Sequence, residues 1–459
     1  MTLSQSGWRF EAKTLALLSA PIVATQLLQI FVVVLDTLMS GRYNASALAG
    51  VAVGGSLWIP IFLFLIGTLS SITPTVAQLT GANKLDQIAI QVHHGFWKIL
   101  LFYPLVLLVA WVIDDVFVLM KVDEEIAPIG VGYFRALVWG LPAALGYNVL
   151  RYYSDGMSFT RPAMTASLIG LLVNAPLNYV LIFGKFGFPE MGGVGCGWAS
   201  TISFWVMFLY MVVVVRFGKR YQQASLFEKI HWPQRQVLMG LLKLGTPIGL
   251  SLLAESSIFS MIALFLAPFG AVQVASHQIA LNVASLVFMI PLSLAMALTI
   301  RVGHLVGAQQ QREVLLTGKL GIAMALIYAA ASAGLLALFN EMIARLYNSE
   351  SEVVLLASSL IIFAAVFQLA DSLQVTLAGI LRGYKDTRVP MYITVFAFWG
   401  IGLPVGYGLG ILGWSGEPLL ATGFWIGLVS GLASAAVLLG IRYRWLSARY
   451  QWPLEEQSA

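Results

Sequence analysis

Apolar runs of about twenty residues recur along the chain, each long enough to cross roughly 30 Å of hydrocarbon at about 1.5 Å per residue. They fall near 15–39, 47–72, 96–113, 131–153, 162–184 and 194–215, and again near 241–266, 274–298, 317–339, 353–380, 391–412 and 420–441. The most hydrophilic stretch between them, Arg216–Gln236, divides six runs from six. The pattern predicts an all-α polytopic membrane protein with twelve transmembrane helices. It predicts an N-terminal lobe at 1–215, a cytoplasmic linker at 216–240, and a C-terminal lobe at 241–459 with a short cytoplasmic tail.

Composition removes the soluble alternatives. Of 459 residues, 59% are hydrophobic and 10% charged, with a mean hydropathy of +0.84. Soluble domains carry about 25% charged residues, so this chain cannot solvate a surface in water. The net charge of +5 would suit nucleic acid, but topology accounts for it. With both termini in the cytosol, 21 of the 26 Lys and Arg residues fall on the cytoplasmic side; only Arg42, Lys121, Arg135, Lys185 and Arg345 fall outside. An odd number of spans would scramble that bias, which is the positive-inside signature. Nucleic acid is therefore not an expected partner. The polar start MTLSQSGWRFEAK leads straight into a long span, unlike a cleavable leader. One cysteine, Cys196, rules out an internal disulfide framework.

The two sets of six spans repeat one another. LSAPI (Leu18–Ile22) matches LGTPI (Leu244–Ile248), and TVAQLTGA (Thr75–Ala82) matches RVGHLVGA (Arg301–Ala308), both 226 positions on. DGMSFTRPAM matches RGYKDTRVPM with one inserted residue, after which Pro176, Tyr179 and Gly195 recur as Pro404, Tyr407 and Gly423, at offset 228. Six spans return the chain to its starting side, so the repeats are parallel. Parallel repeats in transporters form two lobes around a central cavity, and that is the expectation here.

Three acids stand inside the runs: Asp36, Glu255 and Asp371. Each has polar companions at helical spacing. Gln26, Gln29 and Asp36 share a face, as do Gln368, Asp371 and Gln374; Gln278, Asn282 and Ser285 line up on the eighth run, and Asn174 and Asn178 flank Pro176 on the fifth. Interhelical hydrogen bonding would explain the amides. It explains the acids less well, because a neutral amide bonds helices at lower cost than a buried charge. No Lys or Arg lies deep in the seventh or tenth run, so a proton or a hard cation such as Na⁺ is expected to neutralise Glu255 and Asp371.

Other signals are weaker. GLGILG (Gly408–Gly413) fits GxGxxG but lacks a strand–helix context. His93, His94 and His231 read as solvated cytoplasmic residues, and His277 as a helix-end hydrogen-bonding group. No zinc spacing, phosphate loop or nucleophile–His–acid set is present, so neither an enzyme nor a cofactor is expected.

Taken together, LDTLMSGR, NAPLNYVLIFGKFG with GGVGCG, AESSIFS, HQIALNVASLVFMIP, QLADSLQV and LRGYKDTRVP resemble the multidrug and toxic compound extrusion (MATE) family, close to its bacterial NorM-like branch. The resemblance runs from end to end. It implies export of amphipathic, mostly cationic drugs and dyes by alternating access, in exchange for inward Na⁺, or H⁺, across the bacterial cytoplasmic membrane. It places the coupling cation at Glu255 and Asp371, with Asn282 and Phe288 nearby. It gives Asp36, with Asn174, Asn178 and Gln29, a role in cation, proton or substrate binding. Phe367 stands where relatives often carry Tyr, removing a hydroxyl from the cavity aromatics. A monomer in contact with membrane lipids is expected. A lipid-linked precursor flippase is the nearest rival, but flippases carry intramembrane bases and this chain carries acids. An uncoupled channel or facilitator is the second.

Overall fold

A computed structural model describes residues 7–414 and 416–450; the predicted tail beyond Tyr450 lies outside the described residues. Among the described residues, twelve helices are long and apolar enough to cross a membrane. The first six are Trp8–Tyr43, Ala45–Gly81, Leu85–Leu119, Ala127–Gly156, Arg161–Phe183 and Gly193–Phe217. The second six are Arg235–Phe269, Ala271–Gly307, Gln311–Tyr347, Ser351–Gly383, Arg388–Gly410 and Leu420–Arg449. Each coincides with one predicted run, and most are longer. Helical hydrogen bonding continues past the apolar run into polar turns: span eight has 37 residues, a length of about 55 Å.

Local chemistry sets the breaks. Asn44 is extended at φ −165, and its side chain accepts the Ala47 N–H at 2.6 Å, capping span two directly after span one ends. Gly184, at φ +60, takes the left-handed conformation that closes span five. Span two is itself two helices, Ala45–Leu69 and Ile72–Gly81. The break leaves carbonyls without intrahelical partners. Lys98, fully buried, supplies a donor: its Nζ reaches Thr68 O at 2.6 Å and Ser71 Oγ at 3.2 Å. Span eleven carries a π-helical turn at Phe396–Gly402.

The chain divides into two compact units, Ala20–Gly249 and the described part of 1–19 together with 250–450. These limits are offset from the lobes read at 1–215 and 241–459: residues 7–19 and 241–249 each group with the other half of the chain, and the 216–240 linker groups with the first unit. Particular contacts explain the regrouping. Glu11, fully buried, accepts two bonds from the Arg301 guanidinium at 2.8 and 2.5 Å and one from Thr317 at 3.1 Å. In the first unit, the Gln234 N–H donates to His94 Nε2 at 2.7 Å, and Tyr221 of the linker shares a 2.6 Å hydroxyl bond with Ser154.

Each unit contains a helix that is buried on all sides over part of its length. In the first it is span four, enclosed from Ala143 to Gly156; in the second it is span ten, enclosed from Gln374 to Leu381. Gly379 lies so close to Ala295 O that a side chain there would collide with span eight, and Thr299 Oγ1 donates to Gly379 O at 2.9 Å. Large apolar side chains such as Leu105, Trp111 and Leu119 on span three stay exposed, as a lipid-facing surface requires.

Candidate functional site

The first unit closes a polar ring around Asp36. Asn174 and Asn178 are one helical turn apart on span five, so their amides project from one face. Asn178 Nδ2 donates to Asp36 Oδ1 at 2.6 Å and to Asn174 Oδ1 at 2.9 Å. Asn174 Nδ2 donates to Ser200 Oγ at 3.3 Å, and Ser200 Oγ donates to Asp36 Oδ2 at 3.0 Å. Each Asp36 oxygen thus holds a donor, and all four side chains are buried. Asn178 Oδ1 remains without a partner. Ser200, on span six, was not singled out from the sequence. A serine within a span usually bonds its own backbone, and nothing in GWAS marks this one as different. Gln29 is half-buried two turns from Asp36 and makes no hydrogen bond among the described residues. Gln26 turns away to accept from Arg151 at 3.0 Å.

The second unit is organised differently. Gln374 Nε2 donates to Glu255 Oε1 at 3.1 Å, joining spans ten and seven. Asp371, one turn before Gln374, is buried and lies within electrostatic reach of Glu255. Among the described residues no hydrogen-bond donor reaches Asp371. No Lys or Arg lies deep in spans seven or ten, but Arg382, at the end of span ten, is within electrostatic reach of Glu255. A side chain as long as arginine reaches several residues beyond its place in the helix, which a count of residues within the runs misses.

The remaining predicted residues fall outside this pair. Asn282 is exposed and accepts from Gln278 at 3.4 Å. Phe288 is half-buried. Phe367 is packed in the core, with its ring centroid 5.7 Å from Trp425 and 6.5 Å from Phe259. Gln368 is fully buried and donates to Ser372 at 3.3 Å.

The histidines depart from expectation. His94 is fully buried; Nε2 accepts from Gln234, so Nδ1 carries the proton and donates to Ile90 O at 2.7 Å. His93 and His231 face one another at 3.1 Å through Nδ1. The folded-back linker, which covers this end of span three, is why neither is simply solvated. His277 is fully buried edge-on to Trp425, and neither ring nitrogen has a hydrogen-bond partner. It lies nearly two turns inside span eight, too deep for the expected helix-end bond. Among the described residues no three His, Cys, Asp or Glu side chains gather as a metal site. A cation in the second unit would rest on two carboxylates and amide oxygens, a donor set suited to hard ions.

A twelve-span protein of two repeated units, each with acids buried inside its helices, has the architecture of a membrane transporter. Residues 21–180 and again 247–408 match the family model described as MatE, displaced by the offsets of 226 and 228 that the motifs show. The chain belongs to the MATE family, whose members are transporters and not enzymes. It is 47% identical over 435 residues to the multidrug resistance protein PmpM of Pseudomonas aeruginosa, covering 95% of this chain and 91% of that protein. It is 41% identical over 443 residues to the multidrug resistance protein NorM of Photobacterium profundum, covering 96% and 97%. The eukaryotic MATE transporter AtDTX14 shares the fold with a TM-score of 0.86 at 21% identity, covering 97% of each chain. So does a MOP superfamily transporter from Pyrococcus furiosus, with a TM-score of 0.86 at 22% identity over 95% of this chain and 96% of that one. The latter is described as having a reverse polarity of binding pocket that suggests a different function.

Proposed function

We propose that this chain is a secondary-active antiporter that exports amphipathic, mostly cationic compounds in exchange for inward Na⁺, across a bacterial cytoplasmic membrane, with both termini in the cytosol. The observation that carries the reading is the Glu255–Asp371 pair. Two carboxylates within electrostatic reach inside a membrane bundle cannot both stay charged without a cation. Arg382 balances at most one of them, and Gln374 gives a single hydrogen bond. A mobile cation that arrives and leaves is what coupling needs. The multidrug names of the relatives support the substrate class. Intramembrane acids favour cationic substrates over anionic ones.

The same two carboxylates accept protons, so H⁺ is the second reading for the coupling ion. Purified protein in liposomes, given an imposed Na⁺ gradient and an imposed pH gradient separately, tests both. Ethidium movement driven by Na⁺ alone supports the first reading, and movement driven by pH alone the second. Movement with neither gradient would make the chain an uncoupled facilitator.

A further inference from the structure

The first unit holds a cavity of about 320 Å³ away from the Asp36 ring, with Phe96, Leu100, Leu150, Phe208, Val212 and Ile230 in its wall. Spans three, four and six form most of that wall, and the linker forms the rest. Its mouth opens at the unit's surface, where Leu100 and Ile230 are 60% and 78% exposed. The linker is pinned there: Trp97 Nε1 donates to His231 O at 3.0 Å, and Trp97 stacks on Trp232 at 6.0 Å.

The rim is basic. The Arg216 guanidinium sits 5.7 Å over the ring of Phe227, another wall residue. Lys219, Arg220, Lys229 and Arg235 are exposed along the same segment, against one acid, Glu228. Phe217 and Trp232 are 74% and 75% exposed among them. Aromatic and basic side chains interleaved beside a span end form the pattern that sits at anionic lipid headgroups.

We propose that this cavity is a phospholipid site: an acyl chain fills the apolar pocket, and an anionic headgroup lies against the basic linker, with Arg216 foremost. Charge selects the occupant. A cationic drug would meet like charge at the mouth, and a zwitterionic lipid would gain the pocket without the rim.

Delipidated full-length protein in detergent, titrated with dioleoyl phosphatidylglycerol or dioleoyl phosphatidylcholine and read by native mass spectrometry, tests this. Phosphatidylglycerol should bind at least about five-fold more tightly, the factor for one basic residue at a lipid surface. Arg216→Gln should erase about that factor for phosphatidylglycerol and leave phosphatidylcholine unchanged. Val212→Trp, which fills the pocket, should remove tight binding of both, and chainless glycerophosphoglycerol should not bind. Equal binding of the two lipids by the unmodified protein would overturn the proposal, as would displacement of phosphatidylglycerol by ethidium. Arg216 is exposed, so its variant keeps the test decisive should Val212→Trp fail to fold.

Discussion

The two acidic clusters differ in how completely the protein satisfies them. Around Asp36, three neutral side chains direct donors at one carboxylate and at each other, so each carboxylate oxygen has a donor supplied by the fold itself. Around Glu255 and Asp371, two carboxylates share one amide donor and the distant help of Arg382. On the proposed reading, the satisfied charge serves mainly to hold helices together, and the under-satisfied pair is where the coupling cation binds. The repeat makes this difference informative. At offset 226, Glu255 corresponds to Gln29 and Asp36 to Ile262; at offset 228, Asn174 and Asn178 correspond to Gly402 and Gly406. Each duplicated half has kept its acids where the other has none.

The contrast breaks most sharply in transport. Glu255→Gln and Asp371→Asn should each abolish gradient-driven ethidium efflux from liposomes without lowering the thermal midpoint in detergent, since each removes one of two like charges. Efflux at the unmodified rate in either variant would return the acids of the second unit to a structural role. Next in size is reciprocity between ion and drug. Bound Na⁺ should weaken drug binding by about 5–150-fold, or roughly 1–3 kcal/mol, and the drug should weaken Na⁺ binding equally. Drug titrations in NaCl against choline chloride at fixed ionic strength measure this factor, and Asp36→Asn should leave it in place.

Asp36→Asn should act on stability instead. The new amide can still accept from Asn178 and donate to Ser200 Oγ, but both bonds lose their ionised partner, at a cost of about 1–3 kcal/mol. Ser200→Ala should cost less, near 1 kcal/mol. Thermal unfolding of both variants in one detergent tests the order. If Asp36→Asn proves neutral while Glu255→Gln is destabilising, the comparison is inverted.

The smallest effect sharpens any pH experiment on the two clusters. Burial pushes Lys385, between spans ten and eleven, down from 10.5 to about 8. The unfolded chain therefore holds this proton where the folded chain has lost it, and stability rises as pH goes from about 8 towards 10.5. Lys385→Met should flatten the rise in thermal midpoint over that range. An unchanged slope would assign it to other groups.

The spans were legible because each must present some twenty apolar residues to lipid whatever its neighbours are. Asn174 and Asn178 were legible for a similar reason: amides one turn apart inside an apolar run have few uses but each other and a common partner. Ser200 and Lys98 were not. A serine is cheap to bury, and Lys98 reads as a cytoplasmic end residue until the break in span two brings Thr68 O within its reach. Gln374 shares a face with Asp371, yet its recorded bond crosses to Glu255, since spacing along a helix says nothing about which neighbour packs against it. The regrouping of residues 7–19 and 241–249 left no trace either, because the matching LSAPI and LGTPI segments look alike whichever core they join.

The Glu11–Arg301 bond also bears on how the molecule is made. The two residues are separated by 290 positions. At ribosomal speeds of about 5–20 residues per second, Glu11 emerges roughly 15–60 seconds before its guanidinium. During that interval the start of span one waits in the membrane with its carboxylate uncommitted. The half-chains on either side of the linker are therefore not independent products: a gene split between them would give a second half lacking the carboxylate that Arg301 grips, restored only when both pieces are synthesised together.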